Sequence, residues 1–462
     1  MSKINNFPSL TERETVATLR KFDKLYRNDQ FGVLGVHELL KKQYKNLSDL
    51  VYIAHAIPAR ISDFYGDFVA GDPDRIVIQV SSDEAEGDSK QTELETIIYN
   101  NDLPEKICDF ATDQSEFGFA VLYAYKDEMG DIVIESVPQD QYFPQKNGDV
   151  IIATYKKDTS DQLNPKTYML AHTFTMDRST GSVKVVHEVF LCDDKGVAKE
   201  SSTLEKWTEL TGRTFLPEVD LGLLNMLPIV QVDNGRRTTT GFGKSDFNDI
   251  IPNLAEINER RTQIATQFLK NLDAKMQLPA SMADEDGKIE HFDTVLIESK
   301  DDPDAKYITN DNALIAEAEE HIMSQMRIIS EITGVPMWSL TKGTMPERVE
   351  SLRIQLFSAI RKTNRKRAKL KRGLQDIIRV AFAMLGTPLE NDPMIKFSDV
   401  IPTDDLVQAE TESAKVTAGL SSKRSAIMRL ENATEEEAQA ELDQIEEENA
   451  LAGFNRVDAP TL

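Results

Sequence analysis

The sequence predicts an α+β fold in which helices and strands occupy largely separate stretches of the chain. Most strand-like segments fall in one stretch, from about Arg75 to Asp233, while helical periodicity dominates on either side of it. Beyond Asp233, two long amphipathic helices bracket a short acidic segment, which is the pattern of a stalk with a tip.

Helices open the chain. From Thr11 to about Asp72, Leu19, Phe22 and Leu25 share one stripe, and Ile53, Ile57, Ile61, Phe64 and Phe68 share another. In the next stretch the segments IVIQV, FAVLYAY, DIVIESV, VIIATY and PIVQVDN alternate or run apolar, with turn signals at Gly130-Asp131 and Asn147-Gly148 between them. One helix, from about Gln91 to Phe117, is expected to interrupt these strands.

Between about Ser245 and Leu272, the residues Phe247, Ile250, Leu254, Ile257, Ile264 and Phe268 follow a three-four spacing that fills one face of a helix, interrupted by Arg261. A second such helix runs from about Asn312 to Thr333 through Leu314, Ile322, Met326 and Ile329, and Gly334 and Pro336 stop it. The acidic insert between them, Asp284 to Asp311, holds DEDG, the strand-like TVLIES and the turn-rich KDDPDAKY. After a loop from Met337 to Met345, Pro346 opens a helical stretch that reaches Leu385, with Thr344 and Glu347 spaced as a capping box. About 40 residues at about 1.5 Å each would span roughly 60 Å, so a kink is expected, and Gly373 is the weakest point. The strand-like MIKFSDVIP follows, and then a helical tail from Asp404 that ends acidic.

At 462 residues the chain is long enough for two or three packed units. Lys and Arg number 53 against 78 Asp and Glu, a formal net charge of -25, so a protein that simply coats nucleic acid is not expected and any DNA contact must be local. Cys108 and Cys192 stand apart, as reduced thiols of a cytoplasmic protein would. Met1 to Leu10 lacks a basic-then-apolar leader, and no apolar run approaches the roughly 20 residues needed to span a bilayer, so a soluble, unexported protein is expected.

Motifs for chemistry are weak. TTTGFGKS, Thr238 to Ser245, follows a strand and opens a helix as a phosphate-binding loop would, but Thr238 stands where that loop needs glycine, so a glycine-rich hinge is the simpler reading. The six histidines are scattered without ligand spacing, and no metal site or cofactor is expected. The carboxylates Asp284, Glu285 and Asp286, and Asp301, Asp302 and Asp304, read as solvated charge before they read as a cation site. The strongest charge feature is basic: Arg361, Lys362, Arg365, Lys366, Arg367, Lys369, Lys371 and Arg372 fall within twelve residues of the long helix. They go nearly all the way round it, so they cannot all face one duplex. Either some of them meet phosphates, or the belt meets acidic surface on a neighbouring subunit or on the same chain.

From about Leu47 onward the sequence resembles the portal proteins of long-tailed DNA phages. GKSDFNDIIPNLAEINERRTQIATQF looks like the first stem helix of that family. The run from ALIAEAEEHIMSQMRIISEITGVP through the Trp338 loop into PERVESLRIQLFSAIRKTNRKRAKLKRGLQDIIRVAFAML is similar to its second stem helix, tunnel loop and long wing helix. AGLSSKRSAIMRLENATEEEAQAELDQIEEE looks like the Gly-Leu-Ser segment and acidic tail near portal C-termini. The order of these pieces, with a tip lobe between two stem helices, carries the resemblance.

The resemblance implies a portal-type subunit with a mixed α/β wing, a two-helix stem, a small α/β clip and a helical crown. On this sequence that places N-terminal helices and wing at 1–244, the first stem helix at 245–273, the clip at 274–311 and the second stem helix at 312–335. A tunnel loop at 336–346, the long wing helix and closing strand at 347–402, and the crown and acidic tail at 403–462 complete it. It also implies a homo-oligomeric ring, of twelve copies in the virion, at one capsid vertex, assembled in the host cytoplasm, with double-stranded DNA passing through and no membrane partner. Implied partners are the terminase, the head-tail connector or adaptor, and the major capsid and scaffolding proteins. Trp338, Lys342, Thr344 and Arg348 would lie at the channel, and the six clip carboxylates named above would form a docking surface. No catalytic residue is expected. The alternatives are a packaging ATPase or nuclease subunit, against which Thr238 argues, and a scaffold protein whose basic helix binds an acidic partner.

Overall fold

The computed structural model describes residues 6–34, 52–80, 87–239, 241–272, 275–277, 306–308, 313–340, 349–398, 405–430 and 438–445. Helix α1 (Leu10–Tyr26) starts at a capping box: Glu12 N–H donates to Ser9 Oγ at 3.4 Å, and Ser9 N–H donates to Glu12 Oε2 at 2.7 Å. It buries Leu19, Phe22 and Leu25, the expected stripe. Helix α2 (Ile57–Ala70) buries Ile57, Ile61, Tyr65 and Val69 at a spacing of four. Phe64 and Phe68, expected on that stripe, stack on each other at 4.2 Å on the neighbouring, half-buried face.

Strand β1 (Val77–Gln79) is followed by two helices where one is expected, α3 (Gly87–Asn100) and α4 (Leu103–Glu116). Asp102 turns left-handed between them, φ 46°, and Pro104 lies in the first turn of α4. A proline there has no N–H to continue α3 and clashes with the preceding turn, so the helix must restart.

The strands follow: β2 (Phe119–Lys126), β3 (Ile132–Ser136), β4 (Tyr142–Pro144), β5 (Val150–Asp158), β6 (Lys166–Met176), β7 (Ser182–Cys192) and β8 (Ala198–Ser202). Helix α5 (Leu204–Thr211) separates them from β9 (Glu218–Leu223) and β10 (Ile229–Asp233). All pairings are antiparallel, in a three-stranded sheet β10-β2-β3 and a larger one, β4-β5-β6-β7-β8, in which β9 also pairs with β7. The longest strands, β6 and β7, are absent from the expected set. Along β6, Met169 and Ala171 face one apolar cluster with Phe7 while Tyr168 and Leu170 face another with Trp207 of α5. Covered on both faces, its middle shows no alternation of apolar and polar residues.

Helix α6 (Ile251–Leu272) begins six residues later than expected, after a turn at Phe247–Ile250. Strands β11 (Lys275–Gln277) and β12 (Lys306–Ile308) pair antiparallel and close the base of the acidic insert. Helix α7 (Ala313–Thr333) packs on α6 through Ile257, Ile264, Ile322, Met326 and Ile329. The expected loop after it starts as a helical turn, α8 (Met337–Leu340). The long helix is interrupted at Leu356, giving α9 (Val349–Gln355) and α10 (Phe357–Leu385). Gly373 is not the weak point; it lies buried inside α10, where an added Cβ would come within 2.3 Å of Val232 Cγ2 on β10. Glycine is there for close approach of helix to sheet. Strand β13 (Met394–Lys396) pairs with β1.

Strand β2 divides the main core. Ala120, Leu122 and Ala124 pack with α4 and α10, while Phe119 and Val121 pack with α1, α2 and Phe247. The chain forms two compact units, one of residues 1–344 and 356–398 that holds this core. The second, of residues 345–355 and 399–462, holds α9, α11 (Asp405–Thr417) and α12 (Lys423–Leu430), and in it Glu412 accepts ion pairs from Lys415 at 2.7 Å and Arg429 at 2.9 Å.

Candidate functional site

The basic run on α10 divides into two sets. Lys362 and Lys366 turn inward onto Asp246, which lies just before α6, each with its Nζ 2.9 Å from a carboxylate oxygen. Asp246 is 5% and Lys366 1% exposed at the side chain, so the charges are out of water. Burial alone would raise the Asp246 carboxyl, but Lys366 and Lys362 outweigh it and hold the group well below the usual range. Burial pushes the Lys366 ammonium down, to about 8, against the pull of Asp246. Lys366 reaches Asp246 without hydrogen-bond geometry, so the ion pair is its attachment.

Other groups complete this knot. Ser115 Oγ donates to Asp246 Oδ2 at 2.7 Å and Asn234 Nδ2 to Oδ1 at 2.9 Å. The Tyr65 ring lies 4.7 Å from the Lys362 ammonium and 4.9 Å from that of Lys366, a cation–π arrangement on both. Its hydroxyl donates to the Thr333 carbonyl at 2.5 Å, and Lys362 Nζ donates to the same carbonyl at 3.0 Å. That carbonyl belongs to the last residue of α7, where a helix leaves its acceptors unsatisfied. The knot therefore ties α2 and α10 to the ends of α4, β10 and α7 and to the approach to α6 in one buried polar centre.

Arg367 is also engaged. It donates to the carbonyls of Val69 at 2.9 Å, Phe68 at 3.2 Å and Ser398 at 2.8 Å, closing the end of α2. Arg372 pairs with Asp376 at 3.3 Å and Asp392 at 3.1 Å. Arg361, Arg365 and Lys369 point outward, and Arg361 sits over the Phe357 ring at 5.8 Å. Lys371 is half-buried.

The phosphate-loop-like segment has a structural cause. Thr238 N–H donates to the Phe242 carbonyl at 2.6 Å, making a tight turn. A Cβ at Gly243 would lie 2.1 Å from the Gly118 carbonyl oxygen, so two backbones meet where a side chain cannot fit. Lys244 Nζ bonds both oxygens of Asp249, at 2.7 and 2.5 Å, and Ser245 Oγ donates to the Glu116 carbonyl. Since α6 starts only at Ile251, no helix N-terminus follows this lysine directly.

Of the residues expected at the channel, Trp338 lies on α8, half-buried, with Nε1 buried and unpartnered. Lys342, Thr344 and Arg348 lie outside the described residues, as do Asp284, Glu285, Asp286, Asp301, Asp302 and Asp304. Among the described residues no group of His, Cys, Asp and Glu is placed to hold a metal ion, and no helix is long and apolar enough to cross a membrane.

The sequence profile described as "Phage portal protein, SPP1 Gp6-like" matches residues 11–452, nearly the whole chain. The chain belongs to the phage portal protein family. The solved structures similar to this portal-family chain include the neck of an empty gene transfer agent particle computed with C6 symmetry, at 12% identity and a TM-score of 0.47, covering 83% of this chain and 92% of that one. The virion of a native gene transfer agent particle is similar at 12% identity and a TM-score of 0.45, over 81% of this chain and 89% of that one. No curated protein sequence matches the chain.

Within this portal-family subunit, Asp246 and Tyr65 are the functional-site residues that sequence reading passes over. Asp246 stands inside the segment GKSDFNDIIPN, but nothing in its spacing identifies partners more than a hundred residues later. A faint signal exists in Lys362 and Lys366, which sit one turn apart on the apolar face of α10.

Proposed function

We propose that the protein is the ring-forming subunit of a DNA channel at one capsid vertex, used for genome packaging and ejection, with a structural rather than catalytic role. The family match across residues 11–452 carries this reading. In it, residues 1–244 and 347–402 form the wing, α6 and α7 the stem, 274–311 the clip, and 403–462 the crown and tail. The pairing of β11 with β12 supports the clip as a discrete lobe, because it brings the two ends of the insert together beside the paired helices.

The clip carboxylates would dock the terminase and later the connector, and Lys342 would add one positive charge per subunit to a collar around the duplex. Twelve copies at -25 carry roughly -300, so most of the channel repels phosphate and lets DNA slide. Electron micrographs of the purified protein are expected to show closed rings; a monomer at all working concentrations would end this reading. Lys342→Glu is expected to leave rings intact and to slow packaging or loosen retention of the genome, more at low salt than at high. ATP binding lost on changing Lys244 would favour the packaging-ATPase alternative instead.

A further inference from the structure

Three exposed cations of the basic run and an acidic face elsewhere in the same unit carry charges of opposite sign. Arg361, Arg365 and Lys369 fall within about 80° of arc on α10, along about 12 Å of its length, at about 100° and about 1.5 Å per residue. All three are exposed, and among the described residues none lies at ion-pair distance from a carboxylate. In a chain where acids outnumber bases 78 to 53, three such cations side by side are an anomaly.

The acidic face lies on α2 and α4, which approach so closely that a Cβ at Gly66 would come within 2.3 Å of Thr112 Oγ1. Asp63 and Asp67 on α2, and Asp109 on α4, are exposed there, and none has a cationic partner among the described residues. Asp63 accepts from Tyr26 Oη at 2.8 Å and Asp67 from Cys108 at 3.8 Å, both neutral donors. Behind them Glu116 is 4% exposed with Oε1 buried and unpartnered. Burial first, then the nearby Asp113 and Asp23, push its carboxyl up to about 8, with Arg27 the one opposing cation. Positive charge is missing from this place.

Tyr65 and Asp63 point nearly oppositely from α2, the first onto the lysines of α10 and the second toward Tyr26 of α1. A closed ring needs two unlike, complementary patches on each copy. Chains that each carry a net charge of -25 also repel unless opposite charges meet locally.

We propose that Arg361, Arg365 and Lys369 of one copy dock on the Asp63, Asp67 and Asp109 face of the next. The inference rests on the ring reading and names the contact that closes the ring.

The test uses two full-length variants, Arg361→Glu/Arg365→Glu/Lys369→Glu and Asp63→Lys/Asp67→Lys/Asp109→Lys, with assembly read by native mass and electron microscopy. Each variant alone is expected to assemble about tenfold or more weakly than the wild type. A one-to-one mixture is expected to recover rings of alternating copies, because each reversed stripe then meets a reversed face. Recovery also shows that both chains are folded. Rings from either variant alone, with unchanged salt dependence, overturn the docking contact while leaving the ring reading intact. A mixture that stays dissociated overturns it too, as does loss of DNA binding by the stripe variant with ring formation unchanged, which would give the stripe to phosphates. Absence of rings from the wild type fails the ring reading itself.

Discussion

Two sets of cations share the same twelve residues of α10 and differ in everything but charge. Lys362 and Lys366 are drawn into a buried centre around Asp246 and Tyr65, whereas Arg361, Arg365 and Lys369 stand in water on the adjoining face. In the first set, two ammoniums share one buried carboxylate, and removal of that carboxylate leaves both stranded. In the second, charge is available to another molecule and contributes little to the subunit that carries it.

The largest expected effect breaks the inner set. Asp246→Ala leaves two ammoniums around a vacated site and should cost about 3 to 5 kcal/mol of stability, read as a lower urea midpoint. A loss under about 1 kcal/mol would mean that the lysines swing out to solvent and the knot is not a fixed centre.

Next comes the packing that presses α10 on the sheet. Gly373→Ala should cost about 1 to 3 kcal/mol despite the better helix propensity of alanine, because Val232 on β10 has no room to retreat. Val232→Ala in the same chain should restore part of the loss. If Gly373→Ala alone stabilises the protein, the close approach of helix and strand is misjudged.

A third test reads the acidic side of the molecule. Glu116 has a folded-state carboxyl raised from 4.5 to about 8, so its protonated form contributes stability that is whole below 4.5 and lost as pH rises through about 8. Glu116→Gln should therefore change little at pH 4.5 and raise stability increasingly as the pH climbs toward 8, seen as a Tm difference that grows with pH. A pH-independent difference would show that Glu116 is not titrating in this window.

Smallest of all should be the outer set. Arg361→Gln, Arg365→Gln and Lys369→Gln should each move the stability of the dissociated subunit by less than about 0.5 kcal/mol in thermal melts. A loss comparable to that of Asp246→Ala would erase the distinction between the two sets.

Much of this architecture is legible in the sequence, for identifiable reasons. Helix α7 runs from Ala313 to Thr333 where a helix is expected from about Asn312 to Thr333, because a three-four apolar stripe and the Gly334 and Pro336 stops are local signals. The break at Leu356 has neither glycine nor proline to announce it. Strands β6 and β7 are hidden by burial on both faces, which removes the period-two pattern. The eight basic residues are visible at once, but which of them turn inward depends on Asp246 and Tyr65, and no spacing along the chain relates those to α10.

The reach of the Asp246 knot also sets a timetable for biosynthesis. Tyr65, Ser115, Asn234 and Asp246 leave the ribosome well before Lys362 and Lys366, and Tyr65 precedes Lys366 by about 300 residues. At roughly 5 to 20 residues per second, that interval is roughly 15 to 60 s. For about the last 120 residues of it, roughly 6 to 24 s, the nascent chain holds an aspartate whose counter-charges do not yet exist, and β1 waits about 300 residues for β13. The first unit therefore cannot complete itself from its N-terminal end, and a growing chain that stalls before α10 exposes an unfinished centre to chaperones and proteases.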